Sequence, residues 1–196
     1  MDSQGRGALF LDRDGVILEL VDYLHQREDL RLMPGIAEVL GLLNRAEVPV
    51  IVITNQSGVA RGILTEDALA DLHDLMRRQL AAGGAEVDAI YYCPHHPEAG
   101  QSPYRRVCDC RKPAPGMLLQ AAAELGIDLG RSAFIGDTLA DMEAAWNAGI
   151  GTAVMVLTGH GKAEFAALEP GHRQPDRIEA DAPAAVQALI SEGLFD

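Results

Sequence analysis

Residues 49–54, PVIVIT, are the clearest strand in the chain. Val50 to Ile53 are all β-branched and apolar on both faces, as expected of a strand buried between two layers. Such a strand needs helices above and below it, and the flanking sequence supplies strands and helices in alternation. Upstream, residues 8–11 (ALFL) form another short apolar run. Residues 15–33 are polar with little regular structure, and then Pro34-Gly35 opens a helix with Ile36, Val39, Leu40 and Leu43 at helical spacing. Downstream, Thr65 is a candidate N-cap with Glu66 and Asp67 in the first turn, where the helix dipole favours them. Leu69, Leu72, Met76 and Leu80 give that helix one apolar face, and Gly83-Gly84 ends it. Further strands are expected at 87–92 (VDAIYY), 132–136 (SAFIG) and 152–157 (TAVMVL). Helices are expected from Pro115 to Gly126 and over 139–148. Residues 158–177 read as a surface loop, followed by a short strand near 178–180 and a last helix at 184–191. This pattern predicts an α/β fold with a doubly wound parallel sheet, in one domain spanning 1–196.

Composition narrows the partners. The 196 residues are 48% hydrophobic and 23% charged, which is ordinary for a globular protein. No apolar run approaches the length of a bilayer span, so no membrane partner is expected. The opening MDSQGRGALFLDRDG lacks the basic-then-apolar pattern of a secretory leader, which makes the cytoplasm the expected location. A net charge of −13 argues against nucleic acid, which requires a basic face. It also means that any phosphate site must be made locally from cations, metal and backbone N–H groups. No surplus apolar helix face stands out, so the expected state is a monomer.

In a doubly wound sheet ligands bind at the carboxyl ends of the strands. The first strand ends in Asp12-Arg13-Asp14-Gly15. Residues two apart on an extended chain point the same way, so Asp12 and Asp14 can share one task. The second strand ends in Thr54-Asn55-Gln56-Ser57-Gly58, a hydroxyl followed by a polar turn rich in N–H donors, and the fourth in Gly136-Asp137-Thr138 with Asp141 four residues beyond Asp137. The third runs into residues 93–113, CPHHPEAGQSPYRRVCDCRKP, which hold all three cysteines. Cys93-x-His95, twelve residues, then Cys108-x-Cys110 make a full ligand set for one structural zinc, with His96 beside His95 as a competitor. Buried thiols, or one disulfide with a thiol left over, are the plain alternatives. They fit poorly, because the cysteines cluster in a Pro/Gly/Arg segment without hydrophobic period and no oxidising location is indicated. Arg111 and Lys112 follow at once, a cationic pair of the kind that grips a phosphate.

DRDGV, ITNQSG, RKPAPG and GDTLAD resemble, in order, the four motifs of the haloacid-dehalogenase-like (HAD) phosphatases. Within that superfamily, CPHHP…CDCRKPAPGM is similar to the D-glycero-D-manno-heptose-1,7-bisphosphate 7-phosphatases. The resemblance runs from residue 8 to about residue 160. The sister histidinol-phosphate phosphatases have a much shorter gap between the histidine and the cysteine pair.

The resemblance implies a Mg²⁺-dependent phosphatase that removes the 7-phosphate of a heptose bisphosphate, on the route to nucleotide-activated heptose and lipopolysaccharide. It implies Asp12 as nucleophile, and Asp14 as general acid and then base. Mg²⁺ falls to Asp12, the Asp14 carbonyl and Asp137, and structural Zn²⁺ to Cys93, His95, Cys108 and Cys110. Thr54, the Asn55 N–H and Lys112 hold the phosphoryl oxygens, while Asp141 orients Lys112 or a metal-bound water. Arg111 stands where the family recognises substrate, Tyr23 matches a tyrosine of relatives, and Gly15 gives backbone clearance. Arg61, Arg105 and Arg106 are candidates for the second phosphate, with solvated surface arginines as the plain alternative.

Leu18, Leu20, Val21 and Thr138 depart from the family pattern near the sugar end or beside the metal, which leaves the exact substrate and anomer open. There is little room for a cap domain, so an open site shaped by the zinc loop and residues 16–25 is expected. Two other functions compete. One is a histidinol-phosphate or broad phosphosugar phosphatase. The other is a phospho-acceptor binding module of the receiver kind, in which the accepting Asp lies on a later strand and no zinc loop is expected.

Overall fold

The computed structural model describes residues 5–169 and 171–195. In chain order it contains β1 (Leu9–Leu11), α1 (Ile36–Arg45), β2 (Val50–Asn55), α2 (Ser57–Ala60), α3 (Glu66–Ala82), β3 (Ala89–Cys93) and α4 (Gly116–Leu125). Then come β4 (Ala133–Gly136), α5 (Leu139–Ala148), β5 (Thr152–Val156), α6 (Gly161–Ala166), β6 (Arg177–Glu179) and α7 (Ala182–Ser191). The six strands form one sheet in the order β3-β2-β1-β4-β5-β6, and every pairing is parallel.

Period-two alternation divides the core into two layers. Leu9, Leu11, Val50, Val52, Ile135, Val154 and Val156 face one layer with the apolar sides of α1, α3 and α7. Phe10, Ile51, Ile53, Phe134 and Met155 face the other, with α4 and α5. The strands hide both faces, which is why PVIVIT shows no polar alternation. Thr65 caps α3 as expected, its hydroxyl accepting from the Ala68 N–H at 3.1 Å. The chain leaves the central strand β1 to build β2 and β3 on one side, and resumes at β4 to build β5 and β6 on the other. The carboxyl ends of β1 and β4 therefore flank the crevice where a doubly wound sheet binds its ligand.

Three details differ from the sequence-based expectation. Residues 158–177 are not all loop, since Gly161–Ala166 form α6. Its turn-forming glycines hide the helix in sequence, and the Leu139 N–H donates to Glu164 Oε2 to tie it to the start of α5. Gln56 is followed at once by the single turn of α2, where only a polar turn was expected. The third strand begins two residues late, because the Asp88 carboxylate turns back to accept from the Val50 N–H. Among the described residues there is no second sheet that would form a cap over the crevice. No helix among them is long and apolar enough to cross a membrane.

Candidate active site and zinc loop

A pocket of about 640 Å³ opens at the ends of β1, β2 and β4. Asp12, Asp14, Asn55, Lys112, Asp137 and Thr138 line it, together with Leu20, Val21, Tyr23, Leu24 and Leu64. The Asp12 N–H donates to the Ile135 carbonyl, which fixes the first acid at the end of the ladder. Lys112 is buried, and its Nζ donates to the Ile53 carbonyl at 2.9 Å. The same ammonium lies 2.8 Å from Asp12 Oδ1 and 2.5 Å from Asp141 Oδ1. Burial opposes its charge, yet these two carboxylates hold its pKa above the ordinary lysine value. Asn55 exchanges two hydrogen bonds with the Lys112 backbone, each 3.1 Å, and so fixes where the lysine enters the site. Thr54 is buried, its hydroxyl accepting from Gln56 Nε2.

The acids fit a divalent cation. Oxygens of Asp12, Asp137 and Asp141 lie within 4.8 Å of one another, all three residues buried. Lys112 lends charge to Asp12 Oδ1 and Asp141 Oδ1 but no well-aligned hydrogen bond, so both oxygens remain without a geometric donor. Burial pushes Asp12 up to about 6 against the pull of Lys112, with Asp141 and Asp14 adding to the rise. Burial, with the charges of Asp12 and Asp141, pushes Asp137 up to about 8. Three buried acids facing one buried cation are short of positive charge, which an oxygen-loving Mg²⁺ would supply. Asp141 also accepts from the Thr138 N–H and hydroxyl at the start of α5, so its place beside Lys112 is rigid. Gly15, at φ +79°, has no room for a side chain, since a Cβ there would meet Asp137 Oδ2 at 2.4 Å.

A pH dependence follows. The pKa of Asp137 is raised in the folded, metal-free protein, so its stabilising contribution is present below the unfolded value and is lost as pH rises through about 8. Mg²⁺ bound at Asp137 would take the place of that proton. Thermal melts should therefore show a Mg²⁺-induced rise in Tm that grows between about pH 6 and about pH 9, and Asp137→Asn should flatten the trend.

Asp14 is held differently. Arg13, only 1% exposed, donates from Nε and Nη2 to Asp14 Oδ1 at 3.1 and 3.0 Å, and from Nη2 to Oδ2 at 2.9 Å. Gln56 accepts from Arg13 Nη2 at 3.0 Å and donates to Asp14 Oδ2 at 2.9 Å. Arg13 Nη1 reaches His73 Nε2 at 3.1 Å. Burial, with the Arg13 charge beside it, pushes His73 down to about 3, so the ring is neutral at neutral pH.

The zinc loop assembles as its spacing suggested. The Sγ atoms of Cys93, Cys108 and Cys110 stand 3.0 to 3.5 Å apart, too far for a disulfide. His95 Nδ1 lies 3.6 Å from Cys93 Sγ and 3.3 Å from Cys110 Sγ. A zinc tetrahedron with ordinary bond lengths has edges of about 3.5–3.8 Å, so the set is close to closing on the ion. Burial pushes the Cys93 thiol up and His95 down, and a cation is what lets the buried thiol ionise beside a neutral imidazole. His96 turns away. Its Nδ1 is met by the N–H groups of Glu98 and Ala99, and its Nε2 by Arg61.

The sugar-side expectations are placed unevenly. Tyr23 lines the pocket, and the Arg61 guanidinium lies 5.6 Å from its ring centroid. Arg111 donates to the His95 carbonyl and is not among the lining residues, so here it braces the zinc loop. Arg105 and Arg106 are exposed on that loop. Leu20 and Val21 do line the pocket, but Leu18 is packed in the core and does not reach the sugar end. Sequence reasoning missed Arg13, Gln56 and His73. It also missed Thr158-Gly159-His160, where Thr158 donates to the Gly15 carbonyl and the His160 N–H to Asp137 Oδ2.

This sheet, with acids at the ends of β1 and β4 and a lysine between them, defines the class as a HAD-like hydrolase. A HAD-hydrolase-like family model matches residues 109–185. Over 157 residues the chain is 48% identical to a D-glycero-β-D-manno-heptose-1,7-bisphosphate 7-phosphatase of Photorhabdus laumondii subsp. laumondii, covering 80% of this chain and 84% of that one. The protein of the same name from Escherichia coli (strain K12) is 45% identical over 152 residues, 78% of this chain and 80% of that one. The crystal structure of D,D-heptose 1,7-bisphosphate phosphatase from B. bronchiseptica, complexed with magnesium and phosphate, superposes with a TM-score of 0.85 at 36% identity, covering 95% of this chain and 99% of that one. The chain belongs to the D-glycero-β-D-manno-heptose-1,7-bisphosphate 7-phosphatase family.

Proposed function

We propose that the protein removes the 7-phosphate of D-glycero-β-D-manno-heptose 1,7-bisphosphate through an aspartyl-phosphate on Asp12. The observation that carries the chemistry is the buried Asp12 carboxylate at the pocket floor, paired with Lys112 and facing Asp137. The relatives' names supply the substrate and the β anomer.

Asp12 attacks phosphorus, and the bond to the C7 oxygen breaks. Asp14 delivers a proton to that oxygen, then accepts one from the water that hydrolyses the intermediate. Lys112, the Thr54 hydroxyl and the Asn55 N–H bind the phosphoryl oxygens. Asp12, Asp137 and the Asp14 carbonyl would hold Mg²⁺, which when bound offsets the repulsion between carboxylate and phosphate. Cys93, His95, Cys108 and Cys110 would hold Zn²⁺, whose four protein ligands leave no position for water and fit a structural role. Asp141 orients Lys112. Tyr23 on the pocket wall and Arg61 beside its ring are the candidate substrate contacts, and Arg111 would join them only by leaving the His95 carbonyl. The protein acts as a cytoplasmic, monomeric, single-domain enzyme on a small phosphosugar, without nucleic acid.

The test is Mg²⁺-dependent phosphate release from the β and α anomers, beside histidinol phosphate and a phosphosugar panel. The expected outcome is a kcat/KM for the β anomer at least about tenfold above every other substrate, a difference of about 1.4 kcal/mol in transition-state binding. Equal, weak release across the panel would remove the substrate assignment and leave the chemistry.

A further inference from the structure

We propose that His73, acting through Arg13, positions the Asp14 carboxylate for its work as base on the aspartyl-phosphate. This rests on the reading of Asp12 as nucleophile and Asp14 as acid and base. His73 comes from α3, sixty residues beyond Arg13 in sequence, and is buried beside the core residue Leu72. A guanidinium has donors only, so the 3.1 Å contact from Arg13 Nη1 requires His73 Nε2 to be unprotonated and accepting. The chemistry then fixes each partner in turn. Arg13 Nη2 donates to Gln56 Oε1, which leaves the Gln56 nitrogen to donate to Asp14 Oδ2 and Thr54 Oγ1. The fork of Arg13 Nε and Nη2 takes Asp14 Oδ1, and Nη2 also reaches the Oδ2 that Gln56 holds. Asp14 is thereby gripped by Arg13 and Gln56 while it still opens on the pocket.

The arrangement suits the second half-reaction. Water oxygen attacks phosphorus, and the bond to Asp12 breaks, returning its electron pair to the carboxylate. The proton leaving the water goes to an Asp14 oxygen, and inorganic phosphate departs. A base must hold a fixed direction toward that water. Removing the acceptor at residue 73 leaves Arg13 Nη1 a buried donor without a partner. The guanidinium then turns to find one, and the fork no longer matches Asp14. His73 is a positioning residue and touches no reacting atom.

The experiment uses phosphorus-32-labelled acetyl phosphate with the Mg²⁺-loaded protein, because departing acetate needs no proton and only hydrolysis then depends on Asp14. Turnover and the steady-state fraction of protein carrying label are read together. His73→Leu is expected to slow turnover about tenfold or more, while the labelled fraction rises severalfold. His73→Phe, which keeps a ring against Tyr92, supplies a second variant without the acceptor if the first does not fold. His73→Gln, whose side chain carries an acceptor oxygen, should recover most of the turnover.

Unchanged turnover in the acceptor-free variants would overturn the proposal. So would slower turnover without a rise in label, or a Gln variant no better than Leu. Wild-type protein that turns acetyl phosphate over without ever carrying label would bring down the aspartyl-phosphate reading itself, and this proposal with it. That outcome is distinct because it is seen before any variant is made.

Discussion

Asp12→Asn is expected to lower phosphate release by roughly 10⁴-fold or more while leaving the fold intact. A carboxamide is a poor nucleophile and cannot carry the phosphoryl group through a readily hydrolysed acyl-phosphate. Stability should not suffer, because the native carboxylate is uncomfortable where it stands. Burial is the largest cause that raises it to about 6, and Lys112 offsets only part of the combined effect of burial and of repulsion from Asp141 and Asp14. The amide removes that repulsion, and Lys112 keeps Asp141 and the Ile53 carbonyl as partners. In Mg²⁺-free buffer the Tm of the variant should equal or exceed that of wild type, whereas added Mg²⁺ should stabilise wild type more. Near-normal turnover in Asp12→Asn would remove Asp12 from the chemistry.

Loss of the zinc set should be the second large effect. Residues 94–115 join β3 to α4 with no helix or strand of their own, and His95, Cys108 and Cys110 from this segment gather with Cys93 in one cluster. Lys112 follows Cys110 by two residues, and its backbone reaches Asn55 only if the loop is pulled into place. Arg111 is braced on the carbonyl of His95, a member of the candidate zinc set. Cys110→Ser should therefore lose zinc, melt at a lower temperature and drop in kcat/KM by about 100-fold, because metal energy in such sites is folding energy. Metal analysis of the purified chain should give one zinc in wild type. Chelation should reproduce the defect, with zinc and not Mg²⁺ restoring the chelated wild type. Full activity in zinc-free protein would contradict the structural role.

Much of this could be read before any coordinates. The strand ends gave Asp12, Thr54 and Asp137 their places, since in a doubly wound sheet chain order alone brings those ends to one rim, and the loop that leaves the third strand carries Lys112 there. The cysteine spacing marked the loop because that segment has no other way to bury thiols. The missed features depend on distance in space rather than in sequence. His73 follows Leu72 on α3 and, by periodicity, is one more side chain on a helix. Its meaning comes from Arg13, which stands between two acids in the sequence and which the fold buries almost completely. Gln56 read as a turn residue, and only the orientation of its amide shows that it bridges Asp14 to Thr54. Leu18 looked like a sugar-facing departure because it follows the catalytic motif, but the tight turn from Arg13 to Leu18 points it into the core. Gly159 and His160 fell in an expected surface loop, yet that loop folds back against Gly15 and Asp137.

The most direct test of the central claim follows one phosphate. D-glycero-β-D-manno-heptose 1,7-bisphosphate would be labelled with phosphorus-32 at C7 or, separately, at C1. Each preparation would be mixed with the Mg²⁺-loaded protein, quenched in acid and mapped by peptide. The account predicts that label from C7 appears on the peptide containing Asp12, chases into inorganic phosphate, and is absent in Asp12→Asn, while label from C1 stays with the sugar. Label on another residue, transfer from C1, or phosphate release with no protein-bound label at any time would contradict it.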